Sequence, residues 1–244
     1  MKFRIFTFVC ALSLSYFSMA QFKTNKVQEL VEYIWGGEES NRVQELINLL
    51  NDFDSKLPGV SALEYDYWLA YLHYKIGISY LANDKEKAKE HFETGITLLN
   101  DLDVPNSETF ALQGTLNSTM ISIQSDKAWT LSQKAGELFN KALKYSEENP
   151  RAYLGLGKGD FYKPTQYGGG EKVEAHLKKA VSYYNAHEQS GKKGPTWGKE
   201  EVYYFLSAFY SKNNRLRDAK FYNNLGLKEF PKNKLLLAQK EKLY

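Results

Sequence analysis

Apolar residues recur along this chain every three or four positions. Ile47, Leu50 and Phe53 mark one face of an early segment, and Tyr203, Leu206, Phe209 and Tyr210 mark one face of a late one. That period belongs to an α-helix, whereas a half-buried strand would alternate. From residue 21 onward there are no β-branched runs bounded by hairpin signals. The spacing therefore predicts an all-α chain. Its breaks are polar or rich in Gly and Pro: Gly36-Gly37, Pro58-Gly59, Asn83-Asp84, Pro105-Asn106, Asn149-Pro150, Gly168 to Gly170, Gly191 to Gly198, Asn213-Asn214 and Pro231. Such breakers delimit about ten helices.

The first twenty residues depart from this pattern. Lys2 and Arg4 precede an apolar run from Ile5 to about Phe17, and Ser18-Met19-Ala20 puts small residues at the third and first positions before a cut after Ala20. This is the composition of a secretory signal peptide. A membrane anchor is the alternative, but it needs roughly 20 apolar residues and this run is shorter and carries Ser and Thr. The only cysteine, Cys10, lies inside the leader and lacks the preceding small residue of a lipoprotein cleavage box. A mature chain from Gln21 would thus be periplasmic or secreted, free of thiol chemistry, and without a segment for membrane insertion. Removing Lys2 and Arg4 also lowers the formal charge from +3 to +1. Counterion release from a polyphosphate rests on clustered positive charge, so no nucleic-acid partner is expected.

The helical segments are also similar to one another. Tyr203, Leu206, Ser207 and Tyr210 fall on a first helix, Ala219 and Gly226 on a second, and Pro231 closes the unit. The same spacing places Tyr153, Leu156 and Gly157 before Val173, Leu177 and Ala180, and Ile76, Gly77 and Tyr80 before Ala88, Phe92 and Gly95. Ala135, Phe139 and Ala142 form a further second-helix set, closed by Asn149-Pro150. This recurrence resembles the tetratricopeptide repeat, a helical hairpin of about 34 residues with small and aromatic residues at fixed positions.

The repeats fall at about 70–100, 107–150, 150–183 and 200–233, the second being the weakest match. Ser207, Asn223 and Gly226 depart from the repeat's usual residues in the last. The resemblance implies a right-handed superhelical α-solenoid over residues 61–244, preceded by a helix pair within 21–60 and ended by a capping helix after Pro231. One hairpin cannot bury its apolar face alone, so stacking supplies the core. Small residues on facing helices, such as Gly77, Gly157 and Ser207 against Ala88, Ala180 and Ala219, are expected to let the axes approach closely.

Catalytic chemistry has few candidates. His73, His91, His176 and His187 have no HExxH or related spacing and read as solvated or groove residues rather than metal ligands. Gly168-Gly169-Gly170-Glu171-Lys172 and Gly194 to Lys199 both lack the Lys-Ser/Thr step of a phosphate-binding loop. No catalytic residue, metal or cofactor is therefore expected.

The stretch from Gly159 to Gly170 reads as an extended loop and resembles insertions in exported, Bacteroidetes-like bacterial members of this repeat class. Tyr162 and Tyr167 either pack it against the helices or meet a ligand. Ligands of the repeat class lie against concave residues of the first helices, which implies Tyr71, Tyr74, Arg151, Leu154, Lys158, Phe161, Tyr204 and Lys212, with Tyr162 and Tyr167 from the loop. Aromatic faces and basic heads suit a peptide with exposed carboxylates. The expected function is a non-catalytic scaffold for a protein or peptide partner. The alternative is a small-molecule-binding accessory subunit of a transport system, which would need an enclosed cavity beneath the 159–170 loop.

Overall fold

A computed structural model describes residues 22–191 and 193–244; the proposed leader lies outside the described residues. Twelve α-helices are found among them: α1 (Lys26–Gly36), α2 (Glu39–Asn51), α3 (Phe53–Lys56), α4 (Ala62–Tyr80), α5 (Lys85–Asn100), α6 (Ser107–Met120), α7 (Ala128–Tyr145), α8 (Pro150–Tyr162), α9 (Val173–Ser190), α10 (Lys199–Lys212), α11 (Leu216–Glu229) and α12 (Lys234–Leu243). The periodicity undercounts them, partly because Asp52 interrupts what reads as one early helix.

Side chains at the starts explain several boundaries. Ser61, Asp84, Asn149 and Asn233 each accept a hydrogen bond from a backbone N–H one turn into the helix that follows. Asn106 and Thr109 form a reciprocal capping box at α6. Pro150 occupies the first turn of α8, where its missing N–H leaves no intrahelical bond unmade.

Consecutive helices pack as hairpins, α4 with α5, α6 with α7, α8 with α9 and α10 with α11, and α12 covers the last pair. First helices also touch across the stack, α4 to α6, α6 to α8 and α8 to α10. The architecture is an all-α solenoid. At its start α1 and α2 pack on α4. Of the early apolar face Ile47, Leu50 and Phe53, Phe53 is buried as its spacing predicts, whereas α2 buries Leu46 and Leu49 and leaves Ile47 and Leu50 half-buried against the same core. Among the described residues, no helix is long and apolar enough to cross a membrane.

The small residues are met by larger partners than the sequence reading supposed. A Cβ added at Gly77 would stand 2.4 Å from Phe92, and one at Gly157 would stand 2.6 Å from Leu177. Phe139 closes on two helices at once, since a Cβ at Gly155 would meet its ring at 2.1 Å and one at Gly114 at 2.7 Å. Glycine on the first helix therefore accommodates a bulky residue of the second, besides admitting alanine. In the last hairpin, Asn223 in place of an aromatic is buried and donates to the Leu236 carbonyl, tying α11 to the cap.

Candidate functional site

Two neighbouring regions of the first-helix face gather the residues of interest. The upper region is aromatic and charged. Phe161 and Tyr162 at the end of α8 set ring edges against Phe205 of α10 at 5.3 and 5.7 Å, and Tyr204 flanks the same ring. Lys158 donates to Glu201 at 2.5 Å and stands over the Phe205 ring. Lys212, exposed, stands over Phe161. Tyr162 is 69% exposed, so this aromatic group is open to solvent at its rim.

Further in, Glu200, half-buried, faces Glu201, Glu32 and Lys75. Burial and the neighbouring Glu201 push its carboxyl up to about 7. Burial likewise lowers the Lys75 ammonium, whose head sits 3.8 Å above the Trp35 ring while Arg42 covers Trp35 at 4.6 Å. Burial opposes the Lys158 charge, yet the Glu201 carboxylate outweighs it and holds the ammonium above its ordinary value. Tyr74 is pushed up to about 12 by burial.

The lower region is filled by the chain itself. Between α9 and α10, residues Gly194 to Gly198 cross to α1 and α4. Gly194 donates its N–H to Asn25 Oδ1, and Thr196 and Trp197 donate theirs to Gln28 Oε1 at 2.9 and 3.3 Å. The Trp197 indole stacks on Tyr71 at 5.7 Å and donates to the Tyr67 hydroxyl. Arg151 donates to the Pro195 carbonyl, and Tyr184 donates to that of Trp197.

This arrangement divides the residues expected in the groove. Lys158, Phe161, Tyr162, Tyr204 and Lys212 come together at the open rim. Tyr71, Tyr74, Arg151 and Leu154 are buried, and Tyr71 and Arg151 hold the chain's own crossing segment. Arg151 is thus an internal anchor in this structure, because each of its three side-chain nitrogens donates to Glu108 or to the Pro195 carbonyl.

The expected loop is also shorter than its sequence suggested. Gly159 to Tyr162 continue α8, and only the residues after Tyr162 form the connection. Tyr167 sits on a single 3-10 turn with 60% exposure, so it does not pack that connection against the helices. Gly169 is fixed there by close approach, since a Cβ would lie 1.8 Å from the Lys163 carbonyl oxygen.

Glu201, Phe205, Gln28 and Trp197 were missed by the sequence reading. Their weight depends on which distant helix they face, and spacing along one helix does not carry that information. His73 and His91 are a further correction to the solvated reading: their Nδ1 atoms meet at 2.9 Å between α4 and α5. A hollow of about 250 Å³ lies elsewhere, between Thr24 and the Leu57–Val60 turn.

No protein-family model matches the sequence, and no curated protein matches it at a significant level. Solved structures do. The HusA haemophore from Porphyromonas gingivalis aligns with a TM-score of 0.55 at 22% identity, over 76% of this chain and 92% of its own. TTC0263, a TPR protein of Thermus thermophilus, aligns with a TM-score of 0.56 at 16% identity, over 89% of this chain and 98% of its own. At these identities the likeness is one of fold, a TPR-like stack of helical hairpins.

Proposed function

We propose that this chain is an exported, non-catalytic recognition protein whose upper groove takes a protein or peptide segment bearing carboxylates. The observation that carries this reading is the rim formed by Phe161, Tyr162, Tyr204 and Phe205 with Lys158 and Lys212 beside them. Aromatic rings give contact area at low entropic cost, and lysines at their edges pair with acidic groups. Lys212 is the more available cation, because Lys158 is already engaged by Glu201. A TPR-like solenoid supports an interaction role in general.

The test is capture from the native compartment followed by binding measurements. Tyr204→Ala combined with Lys212→Ala should lower affinity about tenfold or more while leaving helicity unchanged. Unaltered capture would reject the rim as the site.

A second reading, binding of a flat small molecule with carboxylates, draws on the same rim and on the neighbour described as a haemophore. Titration of the isolated protein with haem separates the two. A shifted Soret band that is lost in the same double variant favours the small molecule, and no shift favours the peptide.

A further inference from the structure

Loops usually satisfy their backbone groups with water or with their own turn. Most backbone groups of Gly194 to Trp197 are instead held by side chains of the surrounding helices. Three of their N–H groups, those of Gly194, Thr196 and Trp197, donate to the side chains of Asn25 and Gln28 at the start of α1, and two of their carbonyls accept from Arg151 and Tyr184. Gln28, itself 2% exposed, acts as a carboxamide clamp: its Oε1 receives two successive N–H groups while its Nε2 donates to the Thr196 hydroxyl. An anchoring side chain, Trp197, fills a pocket walled by Tyr67, Tyr71 and Tyr74. Backbone capture with one aromatic anchor is the way grooves hold extended peptides. The partners lie 168 residues apart for Gln28 and Thr196, far beyond what a local turn requires. Gly198 ends the segment with φ +97°, and a Cβ there would stand 2.8 Å from the Tyr184 hydroxyl.

We propose that Gly194–Trp197 is an internal peptide ligand, and that the cleft between α1, α4 and α8 is a recognition site for a Gly-Pro-Thr-Trp segment, occupied here in cis. Asn25 and Gln28 read the backbone, Arg151 reads the Pro195 carbonyl, and the tyrosine pocket reads the indole. The proposal stands apart from the upper-groove reading, which uses other residues and would survive its failure.

Two full-chain variants test it by hydrogen exchange. Gln28→Ala removes the clamp and leaves the tyrosine pocket intact. It should speed exchange at Thr196 and Trp197 by roughly tenfold, the equivalent of one or two hydrogen bonds, together with the amides of α1 and without change in α9. Trp197→Ala should deprotect α1 in the same way, and the blocked peptide Gly-Pro-Thr-Trp-Gly should restore protection at about millimolar concentration, the effective concentration of a short tether. Thr196 and Trp197 amides that stay protected in Gln28→Ala would overturn the proposal. So would a peptide that fails to restore α1.

Discussion

Arg151 and Glu108 meet in a two-bond fork, with both N···O distances at 2.5 Å, across the seam between the second and third hairpins. The guanidinium is 2% exposed, and its third nitrogen, Nη1, donates to the Pro195 carbonyl at 2.6 Å. Asn149, which caps α8, donates to the same Glu108. One ion pair thus joins α6, α8 and the crossing segment.

Removing one partner of such a pair strands the other. Arg151→Ala should destabilise the fold by about 3 kcal/mol. In a chain of this size that is a fall of roughly 6 to 12 °C in Tm. Replacing both partners, as Arg151→Met with Glu108→Leu, should recover part of the loss, because the stranded carboxylate is gone. Thermal unfolding followed by circular dichroism checks both, and a single variant that melts like the parent would refute the structural role given to Arg151.

Glycine has opposite meanings at two positions near Phe139. At Gly155 a methyl would collide with the ring at 2.1 Å, so Gly155→Ala should cost about 1 to 3 kcal/mol despite its better helix propensity. At Gly136, on α7, a Cβ meets nothing within 4 Å, and Gly136→Ala should gain about 0.5 to 1 kcal/mol. Urea unfolding of the two variants should move their midpoints in opposite directions; shifts of the same sign would contradict the packing described.

The His73–His91 contact makes stability depend on acid. Burial, then the facing His91, lowers His73 to about 4, and burial lowers His91 as well. A histidine depressed in the fold contributes stability that is complete above its unfolded value, about 6.5, and is lost as pH falls toward 4. The loss for His73 is on the order of 2 to 3 kcal/mol. Glu200 acts in the other direction across an overlapping window, since a carboxyl raised to about 7 contributes stability that disappears as pH rises from its ordinary range through 7. Comparing the parent with His73→Gln isolates the first effect. On going from pH 7 to pH 4.5 the variant should lose less stability, or gain more, than the parent, and an equal change in the two proteins would remove His73 from the account.

The fold was legible because close packing writes a local, periodic pattern. Gly77, Gly157, Ala88, Ala180 and Ala219 stand at recurring offsets whatever the rest of the chain does. The nearness of Lys158, Phe161 and Tyr204 to one another follows for a related reason: they stand on first helices that neighbour one another in the stack. The buried lower half was not. Tyr71 and Arg151 occupy equivalent offsets, yet they are covered by a segment more than forty residues away in sequence, and no spacing rule encodes that crossing. The contact between Gln28 and Trp197 joins residues 169 apart, and neither position announces the other.

Stacked hairpins ordinarily behave as a line of nearest neighbours, in which unfolding can start at either end and spread unit by unit. The contact between Gln28 and Thr196 turns that line into a loop by joining its beginning to the connection between its third and last hairpins. An end that is tied to a distant unit can no longer fray alone. The energetics of deleting α1 and of replacing the Gly194–Gly198 connection should therefore be coupled rather than additive, so this solenoid should melt more like a compact domain than like an array.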